Sequence, residues 1–213
     1  MYSKLQYISQ GSTAQEQITN IHQCLDAGCD WIQLRFINAA EKELQATAKQ
    51  VKKLCDSYDA TLIINDNAGL AHTIDASGVH LGLQDMSISK AREILGPQKI
   101  IGGTANTIQD VLSQVEKKCD YIGLGPFRFT STKKKLSPVL GATGIGEIMK
   151  VLSQREIKTP VFAIGGILLS DVENILEHGA FGVAVSGEIT KHSSKKELLE
   201  KFNLLLNGKI NNS

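Results

Sequence analysis

Short apolar runs alternate with longer amphipathic ones along the chain. The apolar runs cover residues 5–8, 31–35, 61–65, 78–81, 100–104, 121–125, 160–164 and 182–185. They are rich in Val and Ile and mostly continuous in apolarity, the pattern of strands buried on both faces. Between them, residues 13–27, 41–57, 68–74, 87–95, 107–117, 145–154, 170–177 and 195–206 show helical spacing. In the first of these, Ile18, Ile21 and Leu25 share one face. Ser12 or Thr13 caps its start, with Glu16 at capping-box distance. Eight strands alternating strictly with eight helices predict a parallel sheet.

An internal repeat refines that expectation. The segments AGCDWIQLR (27–35), DASGVHLG (75–82), KKCDYIGLG (117–125) and HGAFGVAVS (178–186) each read as helix exit, turn and strand. They fall on every second strand, so the unit is (βα)₂ repeated four times, as closure into a (β/α)₈ TIM barrel produces. An open doubly wound sheet would need a phosphate fingerprint after the first strand, and GSTAQ there matches GxGxxG poorly. The expectation is one α/β domain, a (β/α)₈ barrel over residues 1–207, with 208–213 as a frayed tail. The long connection at 126–143 carries TSTKKK and reads as a functional flap.

Composition narrows the classes. The net charge of +1 over 213 residues excludes a strongly basic nucleic-acid or membrane-surface protein. The longest apolar run, 161–169, contains two glycines and falls far short of the roughly 18 residues of a membrane span. MYSKLQYIS carries no signal-peptide pattern, so a cytoplasmic location is expected. Cys24, Cys29, Cys55 and Cys119 form no CxxC pair and are expected as buried thiols in a reducing compartment.

In such a barrel the chemistry gathers where strands end. After the third strand come Asn65, Asp66 and Asn67, which also suit a turn and helix cap. After the fourth comes Asp85, with Ser87 available as the cap. Two carboxylates from adjacent strand ends share a proton or hold a cation, and Mg²⁺ fits best. Alternation puts Gln33 and Arg35 on one side of the second strand and Leu34 on the other. Arg35 then suits a phosphate or a structural ion pair. Thr130, Ser131, Thr132 and Lys133–Lys135 suit a phosphate clamp or a solvated basic loop. Gly165-Gly166 and Ser186-Gly187 suit a phosphate pocket or tight turns. His80, flanked by apolar residues, reads as a satisfied core histidine rather than a base.

Taken together, WIQLR (31–35), LIINDNAGLA (62–71), GVHLGLQDM (78–86), GLGPFRFTSTKKK (123–135), AIGGI (163–167) and GVAVSG (182–187) resemble the thiamine phosphate synthase family over nearly the whole chain. The resemblance implies a transferase that joins hydroxymethylpyrimidine diphosphate to thiazole phosphate, releasing pyrophosphate, with Mg²⁺ as cofactor. It implies Asp66 and Asp85 as magnesium ligands. Gln33, Arg35, Asn65 and Lys133 would bind the pyrimidine diphosphate, with Arg35 and Lys133 catalytic. Thr130, Thr132, Gly166, Ser186 and Gly187 would meet the thiazole phosphate, and Thr104 stands where the family has Ser. Ile37 occupies the place of a usual lysine, so a cation that the resemblance implies at the diphosphate is absent; Lys134, Lys135 and Arg128 are the candidates to replace it. Partners are then small-molecule substrates, with no nucleic acid or membrane, and a homo-oligomer is left open.

Three rivals remain at this point. A thiazole tautomerase of the same fold would need a His after the fifth strand, where the chain has Thr104-Ala105-Asn106-Thr107. A non-catalytic sensor of thiamine precursors is favoured only by Ile37. A sugar-phosphate isomerase would leave the aspartate pair without a role.

Overall fold

The strands form where branched and aromatic residues cluster, and each is only four to six residues long. The computed structural model describes residues 2–129 and 138–208. In it β1 (Leu5–Ile8), β2 (Trp31–Leu34), β3 (Thr61–Asn65), β4 (Gly78–Leu81), β5 (Ile100–Ala105), β6 (Tyr121–Leu124), β7 (Val161–Ile164) and β8 (Gly182–Val185) close into a parallel barrel in sequence order. Leu5 registers against Val183 of β8 and Tyr7 against Ile32 of β2, which seals the ring. The expected TIM barrel is therefore the fold.

Outside the sheet run α1 (Ala14–Asp26), α2 (Glu41–Ser57), α3 (Ala68–Thr73), α4 (Ile88–Leu95), α5 (Ile108–Glu116), α6 (Gly141–Gln154), α7 (Val172–Glu177), α8 (Gly187–Lys191) and α9 (Lys195–Asn207). Helix starts follow the caps in the sequence. Thr13 and Glu16 form the capping box of α1, Ser87 caps α4, and Thr107 with Asp110 caps α5. Outward-facing Ile32, Leu34, Leu62, Ile64, Val79, Ile101 and Ile122 join the helices in one continuous core. All four cysteines are buried thiols within it.

The barrel interior is divided by height. Trp31, Ile63, Tyr121 and Phe162 form a separate cluster inside the sheet. Trp31 meets the Phe162 ring edge-on at 4.9 Å and that of Tyr121 at 5.1 Å. These rings plug the end where strands begin. Gln33, Asn65, His80 and Thr104 stand above them, further along their strands. Gly78 opens β4 because a Cβ there would lie 1.9 Å from the Ile100 carbonyl oxygen of β5.

Several boundaries differ from the sequence expectation. The second strand stops at Leu34, freeing Arg35 for the loop above. Helix α6 starts at Gly141, four residues before the expected 145, because the Leu140 and Gly141 amides bond to the Pro126 and Phe127 carbonyls. The expected flap at 126–143 is thereby pinched at its base. Residues 130–137, with Thr130, Thr132 and Lys133, lie outside the described residues, as do 209–213 of the expected tail. Helix α8 was not expected, since five residues are too few to show a period. No helix among the described residues is long and apolar enough to cross a membrane.

Phe162 is fully buried and touches Trp31, Tyr121 and Phe181. Phe162→Ala is expected to cost about 3–5 kcal/mol. Equilibrium urea unfolding checks this through a lower midpoint at unchanged slope.

Candidate active site

The strand ends converge on one cavity of about 690 Å³, within the usual range for small-molecule sites. Of the twelve residues singled out from the sequence, nine are described, and all nine line it: Gln33, Arg35, Asn65, Asp66, Asp85, Thr104, Gly166, Ser186 and Gly187.

The segment after β3 divides its labour. Asn67 caps α3 by accepting from the Leu70 amide at 2.8 Å, which leaves Asn65 and Asp66 to the cavity. Asp66 takes a left-handed backbone (φ 62°), and its amide bonds to the His80 carbonyl at 2.8 Å. Aspartate tolerates that conformation better than most side chains. A polar chain then runs along the rim. Gln33 Nε2 donates to Asn65 Oδ1 at 3.1 Å, and Asn65 Nδ2 donates to Asp66 Oδ2 at 2.5 Å. Asp85 folds back so that its Oδ2 accepts from the Gly82 amide at 2.7 Å. A Cβ at position 82 would stand 2.7 Å from that oxygen, so glycine keeps the carboxylate in place.

The Asp66 carboxyl is pushed up to about 7, first by desolvation and then by the neighbouring Asp85 carboxylate, with Arg35 pulling the other way. Asp66 retains exposed surface, so solvent screens part of this repulsion. Two crowded oxygen donors that hold a proton at neutral pH are a fit for a hard divalent cation, which displaces the proton. No cluster of three or more His, Cys, Asp or Glu occurs among the described residues, so the pair is suited to a cation shared with a ligand rather than fully caged.

The opposite wall suits an anion. Gly165 (φ 95°) and Gly166 (φ 73°) turn the chain after β7, and a Cβ on Gly165 would meet Pro126 at 3.0 Å. After β8, Ser186 Oγ donates to the Ile8 carbonyl at 2.6 Å and Gly187 opens the short α8. Turns after strands seven and eight plus a short extra helix are the usual phosphate pocket of this fold.

The family model described as thiamine monophosphate synthase matches residues 5–189. The chain belongs to this family. It is 56% identical to the thiamine-phosphate synthase of Flavobacterium johnsoniae over 95% of this chain and 96% of that protein. It is 52% identical to the thiamine-phosphate synthase of Flavobacterium psychrophilum over 95% and 98%. Among solved structures it is similar to thiamine phosphate pyrophosphorylase from Pyrococcus furiosus, with TM-score 0.83, 29% identity, and 96% and 95% of the two chains covered.

Two expectations set against the family pattern meet the structure differently. Ile37 is half exposed and does not line the cavity. Arg128 is not a spare cation. Its guanidinium forks onto Asp171 with two contacts of 2.9 Å, also bonds the Gly166 carbonyl, and lies 5.4 Å over the Phe127 ring. It braces the turn after β7, and Asp171 is held below the usual carboxylate range by that contact despite its desolvation. Gln10, Asn106, Glu188 and Lys191 line the cavity and were missed. Asn106 one residue past β5 was the legible one; Lys191 was hidden because α8 was not foreseen.

The folded protein holds the Asp66 proton more tightly than the unfolded chain does. That stabilisation is complete below about pH 4 and is lost as pH rises toward about 7. Metal-free protein is therefore expected to lose stability across this window, and Asp66→Asn to flatten the loss. Thermal melts at fixed ionic strength between pH 4 and 8, with and without Mg²⁺, check this; the Mg²⁺ gain should be larger at pH 8.

Proposed function

We propose that the chain is a thiamine phosphate synthase: it condenses hydroxymethylpyrimidine diphosphate with thiazole phosphate and releases pyrophosphate. What supports this reading most is the convergence of nine separately placed residues on one cavity with a carboxylate pair at one side and a phosphate-type turn at the other.

Asp66 and Asp85 would hold Mg²⁺ with the diphosphate. Bound there, the ion supplies charge neutralisation for the leaving pyrophosphate. Arg35 has no ion pair among the described residues and lines the cavity, so its guanidinium takes diphosphate oxygens bidentately. Gln33 Oε1 is buried without a partner among the described residues, a fit for the exocyclic amine of the aminopyrimidine. Lys133 from the flap adds a second cation to the diphosphate. The C–O bond breaks with its electron pair leaving on pyrophosphate, and the pyrimidine ring stabilises the resulting methylene cation. The thiazole nitrogen lone pair then forms the new C–N bond. Thr130, Thr132, Gly166, Ser186 and Gly187 hold the thiazole phosphate for that attack. Charge stabilisation and placement carry the reaction, so no side-chain nucleophile is needed. The protein acts in the cytoplasm.

Purified protein with Mg²⁺ and both substrates is expected to form thiamine phosphate, read by mass spectrometry, with equimolar pyrophosphate. Binding of substrates without product would overturn the reading in favour of a sensor. Asp66→Ala and Asp85→Ala should each lower kcat/KM by about 100-fold or more with the fold intact by circular dichroism. Lys133→Ala should reduce turnover strongly and Lys135→Ala should not; equal effects would return the stretch to a solvated basic loop.

A further inference from the structure

We infer that a buried relay, Gln6–Tyr121–His80–Thr104, fixes the polarity of the Thr104 hydroxyl so that its hydrogen is presented to the cavity as a donor. The inference rests on the synthase reading above, takes cavity-lining Thr104 as a residue that meets the pyrimidine, and goes one step further. His80 and Tyr121 become positioning residues that select a ring nitrogen with a free lone pair.

The chain of contacts runs up the barrel interior from the aromatic plug to the cavity. Gln6 Nε2 donates to the Tyr121 hydroxyl oxygen at 3.2 Å. That hydroxyl is buried, with Tyr121 only 1% exposed, so its own hydrogen needs an acceptor. His80 Nδ1 stands 3.0 Å away and supplies one. The reverse arrangement, with Nδ1–H donating, would leave the Tyr121 hydrogen buried without a partner. A neutral imidazole that accepts at Nδ1 carries its hydrogen on Nε2. His80 Nε2 lies 3.0 Å from Thr104 Oγ1 and therefore donates to it. Thr104 keeps its own hydroxyl hydrogen, and Thr104 lines the cavity.

The space around the relay is cut to hold it. A Cβ on Gly102 would fall 2.2 Å from Tyr121 Cζ and 2.6 Å from His80 Nδ1, and one on Gly123 would fall 3.1 Å from His80 Cε1. At position 102 neither ring could keep its place beside a larger residue, and at position 123 the His80 ring would have to shift by a few tenths of an ångström. Behind Thr104, its carbonyl accepts from Gln114 Nε2 at 3.0 Å, which holds the backbone. The cavity thus offers a fixed donor at Thr104 and, elsewhere on its wall, a fixed acceptor at Gln33 Oε1. An aminopyrimidine supplies the matching lone pair and N–H. A pyrimidine with an oxo group and a ring N–H would set hydrogen against hydrogen at Thr104.

Nitrogen-15 NMR of the labelled wild-type protein should show His80 protonated at Nε2 alone. A ring protonated at Nδ1, alone or as the cation, overturns the relay. Tyr121→Phe should release the lock and populate the other tautomer, while raising KM for the pyrimidine diphosphate about tenfold. Thr104→Val should raise it by a similar factor. The double variant should be no worse than Thr104→Val, whereas independent, multiplying losses would overturn the proposal. His80→Gln, which keeps a donor near Nε2, should retain more affinity than His80→Leu. The Nε2–H tautomer in a protein that forms no thiamine phosphate would support the relay and overturn the functional reading instead.

Discussion

Closing eight parallel strands into a ring forces every strand to begin at one rim and end at the other. In this chain the ring closes through Leu5 against Val183, so no strand edge is left unpaired. Residues far apart in sequence, such as Gln33, Asp85, Gly166 and Ser186, are thereby delivered to one mouth. The strands are short, so one or two residues past each strand end already stand in the cavity. The loops can then differ freely while the rim holds its shape.

That closure also rations the interior. An eight-stranded barrel has room only for side chains, and here Trp31, Tyr121 and Phe162 take the lower part. Above them polar side chains are buried, where an unpaired donor or acceptor is costly. The Gln6–Tyr121–His80–Thr104 contacts meet that demand and at the same time connect the plug to the cavity floor. At the rim the demand is reversed. Asp66 and Asp85 are brought together against their repulsion, and Asp66 sits on a left-handed backbone. The surrounding barrel maintains that arrangement.

Much of this was legible in the sequence because strand and helix periods differ and because the (βα)₂ repeat marks closure. Alternation along WIQLR alone separated Gln33 and Arg35 from Leu34; the cavity and the outer core show that the first two face inward and Leu34 faces the helices. Asn67 and Asp66 show the limit. Both residue types suit caps and ligands alike, and only the Leu70 amide contact assigns the cap to Asn67. Helix α8 was invisible because five residues carry no period, and with it Lys191 was missed. Arg128 looked free for a phosphate, but Asp171, 43 residues on, claims its fork.

The sequence by itself determined the barrel, the order of its elements and the residue types at each strand end, since these follow from local periodicity and turn chemistry. Tertiary structure alone decided which polar groups are already spent on one another and which remain for a ligand. Arg128 is held by Asp171, whereas Arg35 has no ion pair among the described residues; Asn67 caps a helix, whereas Asp66, although it accepts from Asn65, still faces the cavity. The reason is that hydrogen-bond satisfaction is a property of spatial neighbours, and the closed ring sets those neighbours across distances that no local pattern in the chain encodes.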